Sequence, residues 1–575
     1  MNVLIKPRPL PDTLPELEGV PPLLQRIYAA REVRCAGELD YRFQRLLPFD
    51  QLKGMNDAVD LLQTALESRQ RILIVGDFDC DGATSTALAL RGLRAFGFQQ
   101  VDYLVPNRFE YGYGLTPEIV EVALEYEPDL IVTVDNGISS IEGVAAAKAR
   151  GIRVLVTDHH LPGAQLPRAD AIVNPNQPGD AFQSKNLAGV GVMFYLLMAL
   201  RARLREQGWF DKAGMAEPNL AQWLDLVAMG TVADVVKLDH NNRILVSQGL
   251  ARMRAGRLCP GLKALAEVAG RGLQNLSASD IGFALAPRLN AAGRLDDMRL
   301  GIECLLSEDE QDARPLARQL DELNQERRAI EADMKQQALD LLAGMALKED
   351  DSLPVGLCLF EPDWHEGVVG ILASRIKERL HRPVIAFART ADKQIKGSAR
   401  SVKGVHIRDV LDTVAARHPD LLSRFGGHAM AAGLTLEERH FERFAAAFDE
   451  EVRKHLSGDA LHGSLETDGE LAAADQTRAT AESLAAAGPW GQGFEEPLFE
   501  GRFELVHSRI VGEKHLKLRL RNEAGALLDA IAFNRTDHDW PAGVTGVRLA
   551  YRLDLNEFRG ERSLQLMVQH IEPVL

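Results

Sequence analysis

Cysteine, long apolar runs and balancing positive charge are all scarce in this sequence, and each shortage excludes something. Five cysteines, Cys35, Cys80, Cys259, Cys304 and Cys358, are scattered over 575 residues without paired spacing, which excludes a disulfide framework and a thiolate zinc site. Nowhere do ~18 apolar residues run consecutively, and Met1 to Val20 carries four prolines, so neither a membrane span nor a secretory leader is expected and the expected compartment is the cytoplasm. Repeats and low-complexity tracts are absent too. With 66 Lys and Arg against 82 Asp and Glu, the formal charge is −16, and unspecific adhesion to phosphate is disfavoured. The sum hides a distribution, because several acids cluster where a bound cation would offset them, while bases gather around Arg288 to Arg294 and Lys514 to Arg521.

What is present is enough chain for about three domains. Short β-branched runs alternate with helical stretches from Arg71 to about Pro175, the pattern of a parallel sheet covered by helices. The expected strands are Ile72–Val75, Asp102–Val105, Leu130–Val134, Arg153–Thr157 and Ala171–Val173, with helices such as Ala83–Phe96 and Pro117–Tyr126, and a mainly helical stretch over 190–305. Residues 308–348 are highly charged with apolar residues at near-helical spacing and read as a connector helix; about thirty helical residues would span ~45 Å. A second, smaller α/β unit occupies 349–455, with strands near Val355–Phe360 and Val384–Phe387 and a helix near Val368–Leu380. Period-two alternation then marks five strands in 461–575, Arg502–Val506, Leu516–Leu520, Leu527–Phe533, Val547–Leu555 and Leu564–Val568, which suit a small barrel of the OB type. The first domain is expected over 46–307, and the N-terminal segment 1–45 carries no readable chemistry.

Chemistry shows at the C-terminal ends of three expected strands, where parallel α/β sheets place their ligands. Asp77-Phe-Asp79-Cys-Asp81-Gly82 follows the first, Asp135-Asn-Gly the third and Asp158-His159-His160 the fourth. Three acid clusters on one rim would repel strongly and raise one another's pKa, a conflict that divalent cations resolve. A calcium loop also opens with such aspartates, but its twelfth position would be Leu88 and a strand precedes it instead of a helix. A lone histidine would more often cap or pack. Two beside an aspartate on this rim point instead to metal ligation.

These residues resemble the DHH phosphoesterases, named for the triplet at Asp158-His159-His160; Gly230-Thr-Val-Ala-Asp234 matches a further motif of that superfamily. The resemblance implies that Asp79 and Asp135 hold one cation and Asp81, Asp135, His159 and Asp234 a second, with Asp135 bridging. It makes Asp77 a further metal residue and leaves Asp158 and His160 to orient the site or act in catalysis. Carboxylate and imidazole donors suit two Mn²⁺ or Mg²⁺ ions, and such a pair serves phosphodiester hydrolysis.

Longer motifs narrow the resemblance to the bacterial RecJ single-stranded-DNA-specific exonucleases: Ala286-Pro-Arg288-Leu-Asn290-Ala-Ala-Gly293-Arg294, Asp363-Trp364-His365 through Gly370, Lys396-Gly-Ser398-Ala-Arg400 and Gly426-Gly-His428 through Gly433. It implies a DHHA1-like second unit, 5′→3′ removal of mononucleotides from single-stranded DNA, and roles in repair and recombination beside single-strand-binding protein and a helicase, with the chain as a monomer. Arg108, Ser398 and Arg400 are then expected to grip the 5′ end, and Arg288, Asn290, Arg294 and His428 the backbone near the cut. A structural salt bridge to Asp296 or Asp297 is the plainer role for Arg288 and Arg294, and packing the plainer role for Trp364. In Lys514 to Arg521 the leucines alternate with bases, so Lys517 and Arg519 are expected on a strand-binding face of the barrel, or on a solvated basic edge strand. Cys80 departs from the family's usual small residue and suggests sensitivity to oxidation or soft metals; Lys237 stands where proline is usual. The competing functions are a phosphodiesterase of short or cyclic oligonucleotides and a non-catalytic scaffold, which would have lost ligands.

Overall fold

The computed structural model describes residues 4–107, 111, 114–348, 353–390, 393–456, 463–535, 543–558 and 561–574. The chain divides into two compact units, one made of Ile5–Asp321 with Glu466–Leu575 and the other built on Glu322–Leu465.

In the first unit a five-stranded sheet runs in the order Val101–Leu104, Ile72–Val75, Leu130–Val134, Arg153–Thr157, Ala171–Val173, and every pairing is parallel. Ile72–Val75 and Leu130–Val134 are buried at every position, which is why they are written as unbroken apolar runs: helices cover both faces. Four of these strands coincide with the sequence reading, and the other is shifted by one residue. The helix expected from Ala83 begins earlier, at Cys80, and runs to Ala95, so the first acid motif is itself the strand-to-helix turn. The stretch after residue 188 is helical as expected, with Gly189–Glu206, Leu224–Ala233 and His240–Arg254 its main helices. Ile281–Leu285 winds as a π-turn before the helix Ala286–Leu295. Pro287 supplies the cause, since it has no N–H to donate and its ring crowds the carbonyl four residues back, that of Phe283.

The N-terminal segment, in which the sequence offers no readable chemistry, is tied into the fold by structural contacts. Arg31, on the turn after the helix Pro22–Ala29, makes a buried ion pair with Asp468 at 2.7 Å and donates through Nε to the Glu495 carbonyl. Tyr28 stacks with Trp490 and Phe494, and the Arg243 guanidinium lies 4.2 Å from the Phe494 ring centre while donating to the carbonyls of Leu238 and Glu38. These residues fasten the approach to the barrel onto the helical part of the same unit. No local pattern announces this, because partners such as Arg31 and Asp468 lie more than 400 residues apart.

The barrel closes in the order Phe499–Val511, His515–Arg521, Leu527–Ala532, Glu561–Val574, Gly546–Phe558. Three of its strands extend well past the alternating cores expected for them, whereas His515–Arg521 exceeds its core by one residue at each end and Leu527–Ala532 ends one residue short. In His515–Arg521 the leucines are buried and the intervening bases are not, as expected, but this is no edge strand: it pairs on both sides. Arg519 faces Asp529 and Arg521 faces Glu504 in register, each forming an ion pair, so part of the expected positive face is neutralised.

A helix of 39 residues, Glu310–Lys348, fills the expected connector region, about 58 Å at 1.5 Å per residue. The second unit holds a sheet in the order Arg424–Gly427, Ala431–Glu437, Gln394–Arg400, Val384–Arg389, Leu357–Phe360. The sequence reading missed three of these strands, since Lys396 to Arg400 and Phe425 to Gly433 are too rich in Gly, Ala, Ser and charge to show β periodicity. Val384–Arg389 and Ala431–Glu437, the strands flanking Gln394–Arg400, supply that order. Trp364 is buried and donates to Gln337 Oε1 at 2.8 Å, the packing role. Among the described residues no helix is long and apolar enough to cross a membrane.

Candidate metal centre

The acid motifs meet because the strands carrying them are neighbours with one direction. Asp79 caps the helix Cys80–Ala95, one carboxylate oxygen accepting the N–H groups of Asp81 (2.9 Å) and Gly82 (3.0 Å). Asp81 points the other way, its two oxygens accepting the N–H of Gly189 at 2.6 Å and of Val190 at 2.9 Å, the first turn of a second helix. Both are sites where a helix favours negative charge. Asp135 sits at φ 63°, a left-handed backbone rare for a residue with a side chain. Asn136 pins that turn by donating to the carbonyls of Val75 and Val134. Gly189 makes room for it: a Cβ there would come within 2.6 Å of Asp135 Cβ.

Three overlapping sets offer ligand atoms within 4.8 Å of one another: Asp77, Asp79 and Asp135; Asp81, His159 and Asp234; and Asp135, His159 and His160. His159 Nε2 lies 3.1 Å from Asp135 Oδ1, 3.4 Å from Asp234 Oδ2 and 3.9 Å from Asp81 Oδ2. Asp158 is engaged elsewhere. Its Oδ2 accepts the Ile138 N–H and its Oδ1 the N–H groups of His159 and His160, with His160 Nδ1 at 2.8 Å. Since a carboxylate only accepts, Nδ1 carries the proton and the other imidazole nitrogen is left for the site.

Burial and crowding set the electrostatics. Burial first, and the Asp79 charge second, push the Asp81 carboxyl up to about 7; Asp135 and Asp234 are pushed well above the carboxylate range by burial and by Asp81 and Asp79. Burial would lower His160, but the Asp158 carboxylate outweighs it and raises the imidazole to about 9. Such a set cannot all be ionised without compensating positive charge. Hard oxygen donors with one or two imidazoles, crowded this way, fit divalent cations of the Mn²⁺ or Mg²⁺ kind. The Cys80 thiol is also buried, and burial with the charges of Asp79 and Asp81 holds it protonated. A protonated thiol opposes the expected sensitivity to oxidation, because the thiolate is the reactive form.

Further support comes from residues outside the acid motifs. Asn290 Oδ1 accepts the Cys80 N–H at 2.8 Å, and a Cβ at Gly293 would strike the Phe78 carbonyl at 1.8 Å, so the helix Ala286–Leu295 presses directly on the first acid turn. Asn174 and Asn176 donate to the carbonyls of His160 (3.0 Å) and His159 (2.6 Å). The sequence reading passed over both, although they follow the fifth strand on the same rim. Arg288 is buried and paired with Asp321 at 2.8 Å, not with Asp296 or Asp297; Arg294 lies in the last turn of the same helix. Lys237 packs its stem toward Gly493.

In the second unit, Arg400 Nη1 donates to Ser398 Oγ at 3.0 Å. A Cβ on Gly370, in the first turn of the helix Val369–Leu380, would meet both side chains at 2.9 and 3.0 Å. Register places Gly433 opposite Ser398 and Ala431 opposite Arg400, and the His428 N–H donates to the Ala431 carbonyl. Arg108 lies outside the described residues.

A parallel sheet with this carboxylate and imidazole rim defines a phosphoesterase of the DHH type, and family models agree: DHH family, N-terminal domain, matches residues 71–231, the DHHA1 domain 352–454 and the RecJ OB domain 467–570. The single-stranded-DNA-specific exonuclease RecJ of Dickeya dadantii is 56% identical over 577 residues, covering 100% of both chains. Among solved structures, RecJ from Thermus thermophilus in complex with Mn²⁺ matches 96% of this chain and 76% of its own, with TM-score 0.78 and 32% identity. The Mg²⁺ complex from the same organism matches 96% and 74%, at 0.73 and 30%. The chain belongs to the RecJ family of single-stranded-DNA-specific exonucleases.

Proposed function

We propose that this chain is a metal-dependent 5′→3′ exonuclease that hydrolyses single-stranded DNA to 5′-mononucleotides. The observation that carries the reading is the convergence of Asp77, Asp79, Asp81, Asp135, His159 and Asp234 into overlapping sets of donors. Bound there, two divalent cations supply charge neutralisation for the attacked phosphodiester and acidify the attacking water. The protein's share is positional. Asp135 bridges the two donor groups from a backbone held at φ 63°; Asp158 fixes the ring of His160, which is placed to hold or pass a proton at its outer nitrogen.

Ser398 and Arg400, beside a helix N-terminus, are suited to a terminal phosphate, whose capture would set polarity; the family resemblance gives Arg108 the same role. Arg294 and His428 serve the backbone near the cut, Asn290 acts by holding the Cys80 N–H, and Arg288 combines substrate contact with its Asp321 pair. Lys517 gives the barrel a phosphate-facing base, and Arg519 joins it by exchanging its pair with Asp529 for a phosphate. The chain works as a monomer in the cytoplasm, in repair and recombination, with single-strand-binding protein and a helicase supplying its substrate.

The test is a single-stranded oligonucleotide labelled separately at each end, with Mn²⁺, Mg²⁺ or chelator, beside a blunt duplex and Asp135→Ala. Cation-dependent release of mononucleotides from the 5′ end, absent on the duplex and in the variant, is expected. A wild type that leaves the single strand intact refutes the proposal and turns attention to cyclic dinucleotides.

A further inference from the structure

Three large apolar side chains stand out among the described residues as the most exposed: Phe283 at 80%, Val235 at 62% and Leu161 at 59%. Solitary exposed apolar residues are ordinary, but these three lie on chain segments that adjoin the metal centre or the helix leading into it. Leu161 follows His160 in the chain and Val235 follows Asp234, and the two motifs touch through His159 and Asp234 at 3.4 Å. Phe283 lies on the π-turn, where a Cβ on the adjacent Gly282 would sit 3.6 Å from Val232 Cγ1, three residues before Val235. Two of the three are also held at a conformational cost. Val235 has φ 61°, a left-handed backbone that a β-branched residue adopts only under constraint and that Gly or Asn would take freely. Phe283 is carried on a π-turn, a form rare in helices and concentrated at functional sites.

We propose that Phe283, Val235 and Leu161 form an apolar collar beside the metal centre that takes the nucleobases of the strand being cut. The inference rests on the single-strand nuclease reading and extends it from phosphates to bases. None of the three can bind phosphate, whereas an exposed ring and two branched aliphatic groups match the flat faces of bases. Every base has such a face, so the contact grips any sequence. It also discriminates against duplex, in which base faces are stacked on one another and hidden. The acids that hold the cations repel a polyanion that arrives without them, so an uncharged grip on the bases steadies the strand without competing for the cations.

The full-length protein with Mn²⁺ is assayed on two 5′-phosphorylated strands of equal length, one of thymidylate and one with the same backbone and no bases. Phe283→Ala is expected to raise KM on thymidylate roughly ten-fold, the scale of one lost stacking contact. On the abasic strand the penalty should collapse to less than two-fold. Phe283→Trp should restore the wild-type KM. Val235→Asn, which suits the left-handed backbone, should raise KM on thymidylate without lowering the melting temperature, separating contact from fold. An equal penalty on both strands, or none on either, overturns the collar. A wild type that cuts no single strand overturns the nuclease reading and the collar with it.

Discussion

At the residue scale, the site depends as much on groups that touch no cation as on its ligands. Asp158 spends both oxygens on the turn and on the His160 ring. Asp158→Asn keeps the shape but loses the charge that orients and protonates the imidazole, so kcat at saturating Mn²⁺ should fall about 10–100-fold with little change in melting temperature. Unchanged kcat would remove His160 from the mechanism. Gly189→Ala tests the opposite face, since its methyl would arrive 2.6 Å from Asp135 Cβ and 2.7 Å from Oδ1. Overpacking of this kind costs about 1–3 kcal/mol, and displacement of Asp135 should weaken Mn²⁺ binding, which calorimetric titration reads directly. Wild-type affinity in that variant would show that Asp135 is not fixed by its contact with the helix.

At the element scale, two packings decide the geometry. The helix Ala286–Leu295 lies so close to the first acid turn that Gly293 has no room for a side chain, with the Phe78 carbonyl 1.8 Å from where a Cβ would be. Across the unit, the N-terminal segment and the barrel approach are joined by the Arg31–Asp468 pair, both side chains 1% exposed. Removing one partner strands a buried charge at a cost of about 3–5 kcal/mol, whereas replacing both with apolar groups of similar size is often neutral. Arg31→Met should therefore lower the denaturant midpoint sharply, and Arg31→Met with Asp468→Leu should recover much of the loss. A double variant as unstable as the single one would argue that the hydrogen bonds to Ile27 and Glu495 matter more than the charge.

At the scale of the whole molecule, the centre links cation binding to stability. Asp81 titrates near 7 in the folded chain and near 4 unfolded, with Asp135 and Asp234 shifted in the same direction. Between those values the folded state binds more protons than the unfolded one, so stability falls as pH rises. For Asp81 the loss begins above about 4 and is complete a little above 7. In chelator, the melting temperature should thus decline over that window; with Mn²⁺ the decline should flatten, and the gain from the cation should be larger at pH 7.5 than at pH 5. A cation effect independent of pH would mean that the acids are ionised before the cation arrives.

The acid motifs, the parallel sheet beneath them and the alternating barrel strands were legible in the sequence because each is local. Apolar runs report burial on both faces, alternation reports burial on one, and ligands follow strand ends. The resemblance carried by the longer motifs likewise sufficed to find the family. Other features exist only once distant segments meet. The Arg288–Asp321 pair, the Arg31–Asp468 bond and the Gly-rich strands of the second unit were all decided by tertiary structure. The reason is physical: a side chain's type fixes what it can donate, accept or bury, but which partner satisfies it depends on what the fold brings within about 3 Å.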